Sequence, residues 1–397
     1  MTSMTSMTSM TSMTSMTSMT STATRQLQDL RPGFEATRLK LLRSRHLPGL
    51  VYSSPAIYAL EKERIFMRSW LSVGRVEQLA NVGDFMTIKV MDEPLVIARH
   101  SADEIVCFVN MCLHRGVEVA VGRGNAKDFS CPYHAWLYDT AGKLIVAPGM
   151  KESEVDMGGF GMKRLQVRLW RGWIFVNCAQ EPEPFEQFIA PFEKALWWFQ
   201  SEKCRLAGVV EIDVKCNWKF LVENLIDMYH VGVIHRSTFG GFVKGARIDY
   251  VLLRNGGWHT RYEARPHSSS GAQVFPTLPW LAAESPGMAC KAGIYPNLNI
   301  SLRADSLRMW HVWPQSPGTT RVACYLLFPE AAFGIPDFAL ELKKYSRFVE
   351  QIIAEDSVMV ESLQNAAASR FFEPGPMAPL EEALHHMENH YIDLMTG

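Results

Sequence analysis

No apolar stretch in this 397-residue chain approaches the length of a transmembrane helix, so a membrane-spanning role is not expected. Neither sign of charge is in excess. Forty Lys and Arg against 41 Asp and Glu leave a net charge of −1, which gives no electrostatic footprint for nucleic acid or for an anionic membrane surface. Eight cysteines among 397 residues are too few for a disulfide scaffold. The chain also lacks a dinucleotide-binding Gly-x-Gly-x-x-Gly: Gly122-Arg123-Gly124 has no third glycine and reads as a turn. Together these absences lead us to expect a soluble, cytoplasmic, reduced protein with no nucleic-acid or membrane partner. At this length, two domains and a sizeable core are expected.

The N-terminus is compositionally odd. Met-Thr-Ser repeats seven times from Met1 to Ser21, with too little apolar content for a secretory segment. Such a composition cannot build a core, so disorder is predicted for residues 1–24. The arginines that follow, Arg25, Arg31, Arg38, Arg43 and Arg45, suit an organelle transit segment. The exact tripeptide period instead reads as repeat expansion or an early start codon.

The most informative residues are Cys112-Leu113-His114 and Cys131-Pro132-Tyr133-His134, two mixed Cys/His pairs separated by sixteen residues, 115 to 130. Two thiolates and two imidazoles form the ligand set of a Rieske [2Fe–2S] centre, where His replaces Cys on one iron. Structural zinc accepts the same donors and is the alternative, but zinc modules usually pair Cys with Cys and His with His at short spacing. A mixed pair lets one loop offer a thiolate to one iron and an imidazole to the other.

Around these pairs the pattern is that of short strands. Asp84 to Val90, Pro94 to Arg99, Ile105 to Asn110, Phe129-Ser130, Trp136 to Tyr138 and a closing run from Arg168 to Asn177 predict a small all-β module over 66–178. It follows a helix-like stretch from Ser54 to Trp70. Beyond it, helical runs at Pro184 to Ser201, Trp218 to Val231, Pro336 to Ala366 and Pro379 to Met395 alternate in blocks with β-rich runs. Sheet and helix segregate along the chain, which predicts an α+β class rather than βαβ units.

A second constellation lies at Asn224-Leu225-Ile226-Asp227-Met228-Tyr229-His230-Val231-Gly232-Val233-Ile234-His235. Mononuclear iron(II) that activates dioxygen is commonly held by two His and one carboxylate on one face. A five-residue step turns about 140° on a regular helix, so His230 and His235 converge only if the helix distorts, and Gly232 is the expected place. The carboxylate must come from elsewhere. Over residues 345–363, Tyr345, Phe348, Val349, Ile352, Ile353, Met359, Val360 and Leu363 form one apolar stripe with Asp356 at its centre and Glu355 near its edge. A carboxylate on a buried face is costly unless paired or metal-bound, so Asp356 is the candidate third ligand. Pairing with Arg347 or Lys344 is the structural alternative.

CLHRG, CPYHAW and ENLIDMYHVGVIH together resemble the Rieske non-heme iron oxygenases, also called ring-hydroxylating oxygenases, over about residues 50 to 395. The last segment matches their Asn-x-x-Asp-x-x-His-x-x-x-x-His signature. Gly116 and Tyr133 stand where respiratory Rieske proteins carry a second, disulfide-bonded Cys pair, so the resemblance implies a cluster of low potential, about −150 mV. It implies the catalytic alpha subunit: a Rieske module on Cys112, His114, Cys131 and His134, packed beside Trp136, before an antiparallel-sheet-plus-helices (helix-grip-like) domain over 179–397. Residues 25–65 would pack on that domain. Fe(II) would sit on His230, His235 and Asp356, with Asn224 and Tyr229 beside it but not bound.

The resemblance further implies a head-to-tail homotrimer, alone or with a small beta subunit. Asp227 would bridge the cluster of one chain to the iron of the next; serving only as a partner for His230 is its simpler role. Electrons would come from a separate NAD(P)H reductase, directly or through a ferredoxin. The reaction would hydroxylate a small organic substrate with O2. We expect an aromatic compound near Phe239, Phe242, Trp258, Pro296 and Trp310, the alternatives being methyl or quaternary ammonium oxidation with demethylation, or a plain electron carrier that uses the cluster alone.

Overall fold

The computed structural model describes residues 5–238, 248–268 and 271–397, with side chains from residue 21 onward. It divides into two compact units, Phe66–Phe188 and Met1–Ile65 with Ile189–Gly397. Helix α1 (Thr5–Thr37) runs through most of the Met-Thr-Ser repeat, where composition predicts disorder. Its support lies downstream: Ala23, Leu30, Phe34 and Thr37 are buried, on the part that packs against the helix Pro55–Glu61 and the C-terminal helix. Once that end is anchored, each further residue adds a backbone hydrogen bond without a new nucleation cost, and methionine is a good helix former.

Short α2 (Leu50–Ser53) leads into α3 (Pro55–Glu61), which Ser54 caps by accepting the Ile57 N–H at 3.2 Å. Glu61, at the end of α3, is fully buried. Its carboxylate accepts from Trp218 Nε1 at 2.8 Å, Lys219 Nζ at 2.6 Å and the Tyr391 hydroxyl at 2.8 Å. A buried charge without such partners costs several kcal/mol, so these three bonds tie the N-terminal segment to the later helices of the same unit.

The unit Phe66–Phe188 is all-β. Its strands are β1 (Leu71–Arg75), β2 (Asp84–Val90), β3 (Glu93–Arg99), β4 (Ile105–Val109), β5 (Arg123–Asn125), β6 (Asp128–Ser130), β7 (Leu137–Asp139), β8 (Leu144–Val146), β9 (Arg164–Trp170) and β10 (Trp173–Asn177). Seven pair in the order β1-β10-β9-β4-β3-β2-β5, and β6-β7-β8 form a separate three-stranded sheet. The run 168–177 is a hairpin and not the single strand its aromatics suggest. Arg171 and Gly172 have φ of 49° and 81°, the two consecutive left-handed residues of a tight two-residue turn. The unit also extends past residue 178, because Phe185 and Phe188 of α4 (Phe185–Ala195) pack 5.3 and 6.5 Å from Phe175, ring centroid to centroid.

The other unit is built on a seven-stranded antiparallel sheet with β11 (Cys204–Val214), β12 (Tyr250–Leu252), β13 (Trp258–Glu263), β14 (Met288–Ile294), β15 (Leu298–Arg303), β16 (Ser306–Ser316) and β17 (Thr319–Pro329). The order is β11-β17-β16-β15-β14-β13-β12. Helices α5 (Trp218–Ile226), α6 (Val231–Ile234), α7 (Phe338–Ala367) and α8 (Glu382–Thr396) complete it, α5 and α7 packing on the sheet and on each other. On α7 the stripe is buried from Tyr345 through Val360 with Asp356 within it, but Met359 and Leu363 are exposed. Among the described residues no helix is long and apolar enough to cross a membrane.

Candidate metal centres

The two Cys/His loops are built alike. In the first, Cys112 O accepts the Gly116 N–H at 2.8 Å; in the second, Cys131 O accepts the Ala135 N–H at 3.0 Å. Gly116 and Ala135 both take positive φ, 78° and 55°, which turns each loop back on itself. Cys112 and Cys131 are buried, whereas His114 and His134 are exposed, their Nδ1 atoms 3.1 Å apart. Two nitrogens bonded near a right angle to one ion at about 2.1 Å stand about 3 Å apart, so this spacing fits a shared metal. Trp136 stacks on the His114 ring at 5.2 Å, and the Tyr138 hydroxyl reaches Cys112 Sγ at 3.2 Å while accepting the Leu113 N–H at 3.0 Å.

The second site forms where α5 stops. Asp227 is extended (φ −61°, ψ 124°), and its carboxylate accepts the backbone N–H groups of Tyr229 at 2.5 Å and His230 at 3.3 Å. A short acidic side chain that competes for backbone donors ends a helix, so the break falls at 227–230 and not at Gly232, which lies within α6. His230 and His235 therefore flank α6 on a separate short turn. Their rings approach to 5.4 Å, and His230 Nε2 and His235 Nε2 lie 3.5 and 3.0 Å from Asp356 Oδ1. One donor atom from each of the three residues falls within 4.8 Å of the others, as the ligands of one ion do.

Each imidazole is held from behind. His230 Nδ1 bonds Asp227 Oδ2 at 2.9 Å and His235 Nδ1 bonds Glu355 Oε2 at 2.8 Å. A carboxylate on Nδ1 selects the tautomer that leaves Nε2 free for a metal. The Asn224 amide donates to Asp356 Oδ1 at 3.2 Å. Burial opposes ionisation of Asp227, but hydrogen bonds from His230 and the backbone of Tyr229 and His230 hold its carboxyl below the usual range. Burial also works against charge on His235, yet Asp356 and Glu355 raise its pKa. Carboxylates on both sides of the imidazoles make a site that favours a cation.

These donors open into a cavity of about 60 Å³, room for roughly five waters, with Leu221, Leu225, Val231, Ile352 and Ile353 on its apolar side. Sequence reasoning missed its polar side. His267, Lys291, Arg303 and Arg308 line it from the sheet and the loop before β14. For Lys291 the signal was there, since it interrupts the otherwise apolar strand β14. Burial, then Arg303, pushes Lys291 down to about 8.

Residues 69–167 match the family described as Rieske [2Fe-2S] domain, and residues 201–397 match that described as Ring hydroxylating alpha subunit (catalytic domain). This chain belongs to the Rieske oxygenase alpha subunits. It combines a [2Fe–2S] domain with a catalytic domain that binds non-heme Fe(II).

Relatives include the glycine betaine monooxygenase oxygenase subunit of Chromohalobacter salexigens, 29% identical over 56% of this chain and 51% of the relative. Benzene 1,2-dioxygenase subunit alpha of Pseudomonas putida is 32% identical over 56% and 52%. The chain thus spans about half the length of these relatives. A quaternary ammonium Rieske monooxygenase shares the fold, with TM-score 0.76, 22% identity and coverage of 91% of this chain and 98% of that one. Naphthalene 1,2-dioxygenase from Rhodococcus sp. does so too, with TM-score 0.76, 17% identity and coverage of 93% and 98%.

Of the Rieske-oxygenase positions read from sequence, Cys112, His114, Cys131, His134 and Trp136 come together, as do Asn224, Asp227, His230, His235 and Asp356. Tyr229 does not join them. Its side chain is 61% exposed, and its backbone N–H serves Asp227 instead. Of the expected pocket aromatics, Trp310 lines the cavity, Trp258 and Pro296 do not, and Phe239 and Phe242 lie outside the described residues. Glu355 and Tyr138 were not anticipated. A hydrogen bond to a ligand sulfur stabilises the reduced cluster, so Tyr138→Phe should lower the cluster potential by about 50 mV, the one-electron equivalent of about 1 kcal/mol. Redox titration followed by electron paramagnetic resonance would check this; an unchanged potential would show that the hydroxyl serves only the Leu113 N–H.

Proposed function

We propose that the chain is the terminal component of an oxygenase system, hydroxylating a small organic substrate with O2 and electrons from a separate NAD(P)H reductase, directly or through a ferredoxin. The observation that carries this reading is the convergence of His230, His235 and Asp356 on one point of a cavity, in a chain that also carries the cluster loops. When bound, the mononuclear iron supplies oxygen activation and the cluster supplies single electrons.

The chain's own residues do the rest. His230, His235 and Asp356 would hold the iron, with Asp227, Glu355 and Asn224 fixing their orientation. Cys112, Cys131, His114 and His134 would hold the cluster, its exposed histidine side facing the electron route. The apolar wall of the cavity limits water. An electron carrier without catalysis would have no use for a carboxylate buried between two imidazoles.

Association of copies, head to tail, fits the exposed apolar residues at both centres. Met111, Leu113 and Tyr133 surround the exposed histidines, and Met359 and Leu363 line an open cavity with Asp227. Reconstitution with a flavin reductase and ferredoxin under isotopically labelled O2 tests the proposal. Label in an arene product is the expected result; electron throughput without oxygen incorporation into any compound of an arene and methylammonium panel would overturn it.

A further inference from the structure

Besides its apolar wall the cavity presents three basic side chains, Lys291, Arg303 and Arg308, the first of which lies in the field of Asp356 and Asp227. Lys291 on β14, Ser301 on β15 and Arg308 on β16 are direct cross-strand partners in one row, and Arg303 stands two residues beyond Ser301 on the same face. All four line the cavity that His230, His235 and Asp356 also line. Arg303 and Arg308 are 2% and 3% exposed. Among the described residues no carboxylate lies within 4.0 Å of Lys291, Arg303 or Arg308. The undescribed residues 1–4, 239–247 and 269–270 contain no Asp or Glu at all.

The contacts these cations do make are with neutral groups. Arg303 donates to His267 Nε2 at 2.8 Å and Arg308 to the same atom at 3.4 Å, while burial and these neighbours hold His267 well below its ordinary pKa and so uncharged. The Arg303 guanidinium lies 5.3 Å from the centre of the Tyr262 ring and that of Arg308 lies 5.7 Å from Trp310. Those contacts occupy aromatic faces that an ammonium cage would need. Arg303 Nε is buried without a partner. Asp305 feels Arg303, but its carboxyl accepts from the Ser306 hydroxyl at 3.0 Å.

We propose that this row is a substrate subsite for a carboxylate: Arg303 and Arg308 bind the carboxylate of a small organic acid, Lys291 adding charge behind them, and so set which end of the substrate faces His230 and His235. A guanidinium presents paired N–H donors that match a carboxylate, and desolvated surroundings strengthen the bond. The inference rests on the oxygenase reading, because the cavity is the one that the candidate iron ligands enter.

Calorimetric titration of the cluster- and iron-loaded protein with two matched pairs tests it without turnover. The pairs are benzoate against benzamide, and glycine betaine against choline. The carboxylate member of at least one pair should bind about tenfold tighter or more than its uncharged-end partner, and Arg308→Gln and Arg303→Gln should remove that preference. Equal or weaker binding of the carboxylate member in both pairs, including no binding of either, overturns the subsite. If the glutamine variants fail to fold, as judged by circular dichroism, the wild-type comparison decides alone. Failure of the oxygenase reading would appear separately, as absent oxygen incorporation in a protein that still prefers carboxylates.

Discussion

Replacing Asp356 by alanine is expected to reduce the protein from three irons per chain to two and to bring oxygenation to background, while the visible absorption of the cluster stays unchanged. The reason is geometric. Asp356 Oδ1 lies within reach of both His230 Nε2 and His235 Nε2, at 3.5 and 3.0 Å. The cluster donors belong to the other compact unit. A plainly structural role makes the opposite prediction. If Asp356 only neutralises His235, Asp356→Ala keeps three irons and instead lowers the melting temperature by several degrees, the cost of a charged hydrogen bond of about 1.5–3 kcal/mol. Iron analysis beside a thermal melt separates the two. Glu355→Ala, which removes the acceptor altogether, should give a milder version, with iron affinity about 10- to 100-fold weaker, because Glu355 holds the far side of His235.

Asp227→Asn should leave both metal sites filled yet slow product formation by about a hundredfold or more. Within one chain, Asp227 takes the His230 Nδ1–H at 2.9 Å and also terminates α5 through the Tyr229 N–H. Asparagine has one carbonyl oxygen where Asp227 uses two, so turned toward His230 it keeps the Nδ1–H bond and the orientation of that ring, while the Tyr229 N–H loses its acceptor. The variant also loses negative charge at an open cavity rimmed by exposed apolar side chains, the place where a neighbouring copy would dock under the proposed head-to-tail arrangement. The measurement that distinguishes a bridging role from simple support of His230 is single-turnover reoxidation of the reduced cluster in iron-replete protein. Slow reoxidation at full iron occupancy indicates the bridge; normal reoxidation with depleted iron indicates support of His230 and sinks the bridging role.

Much of the chemistry was legible because metal sites constrain residue type as well as place. Cys112-x-His114 and Cys131-x-x-His134 need thiolate and imidazole on short loops, and few other uses for such mixed pairs exist. Asp356 was visible for a different reason: an acid centred on an apolar helical stripe conflicts with burial, and that conflict shows in periodicity. Misreadings arose where a local signal was weaker than tertiary support. Gly232 looked like the helix breaker, but Asp227 broke the helix by capturing backbone donors, an effect of side-chain geometry that composition does not show. The hairpin at Arg171-Gly172 was hidden by aromatic flanks, and the Met-Thr-Ser helix draws on packing made by Ala23, Leu30 and Phe34.

By itself, then, the amino-acid sequence determined which atoms are available for iron: two Cys/His loops, two histidines five apart and one misplaced aspartate, each a residue type that the chemistry requires and that a core would otherwise reject. Only the tertiary structure decided which way those atoms face and what surrounds them. Glu355 on α7 meets His235 from a position 120 residues away, and Lys291, Ser301 and Arg308 form a row only because β14, β15 and β16 pair in that register. Strand register and helix docking follow from the burial of whole apolar faces, a sum over many residues. No local stretch of sequence therefore shows that the iron ligands share their cavity with two buried arginines and a lysine.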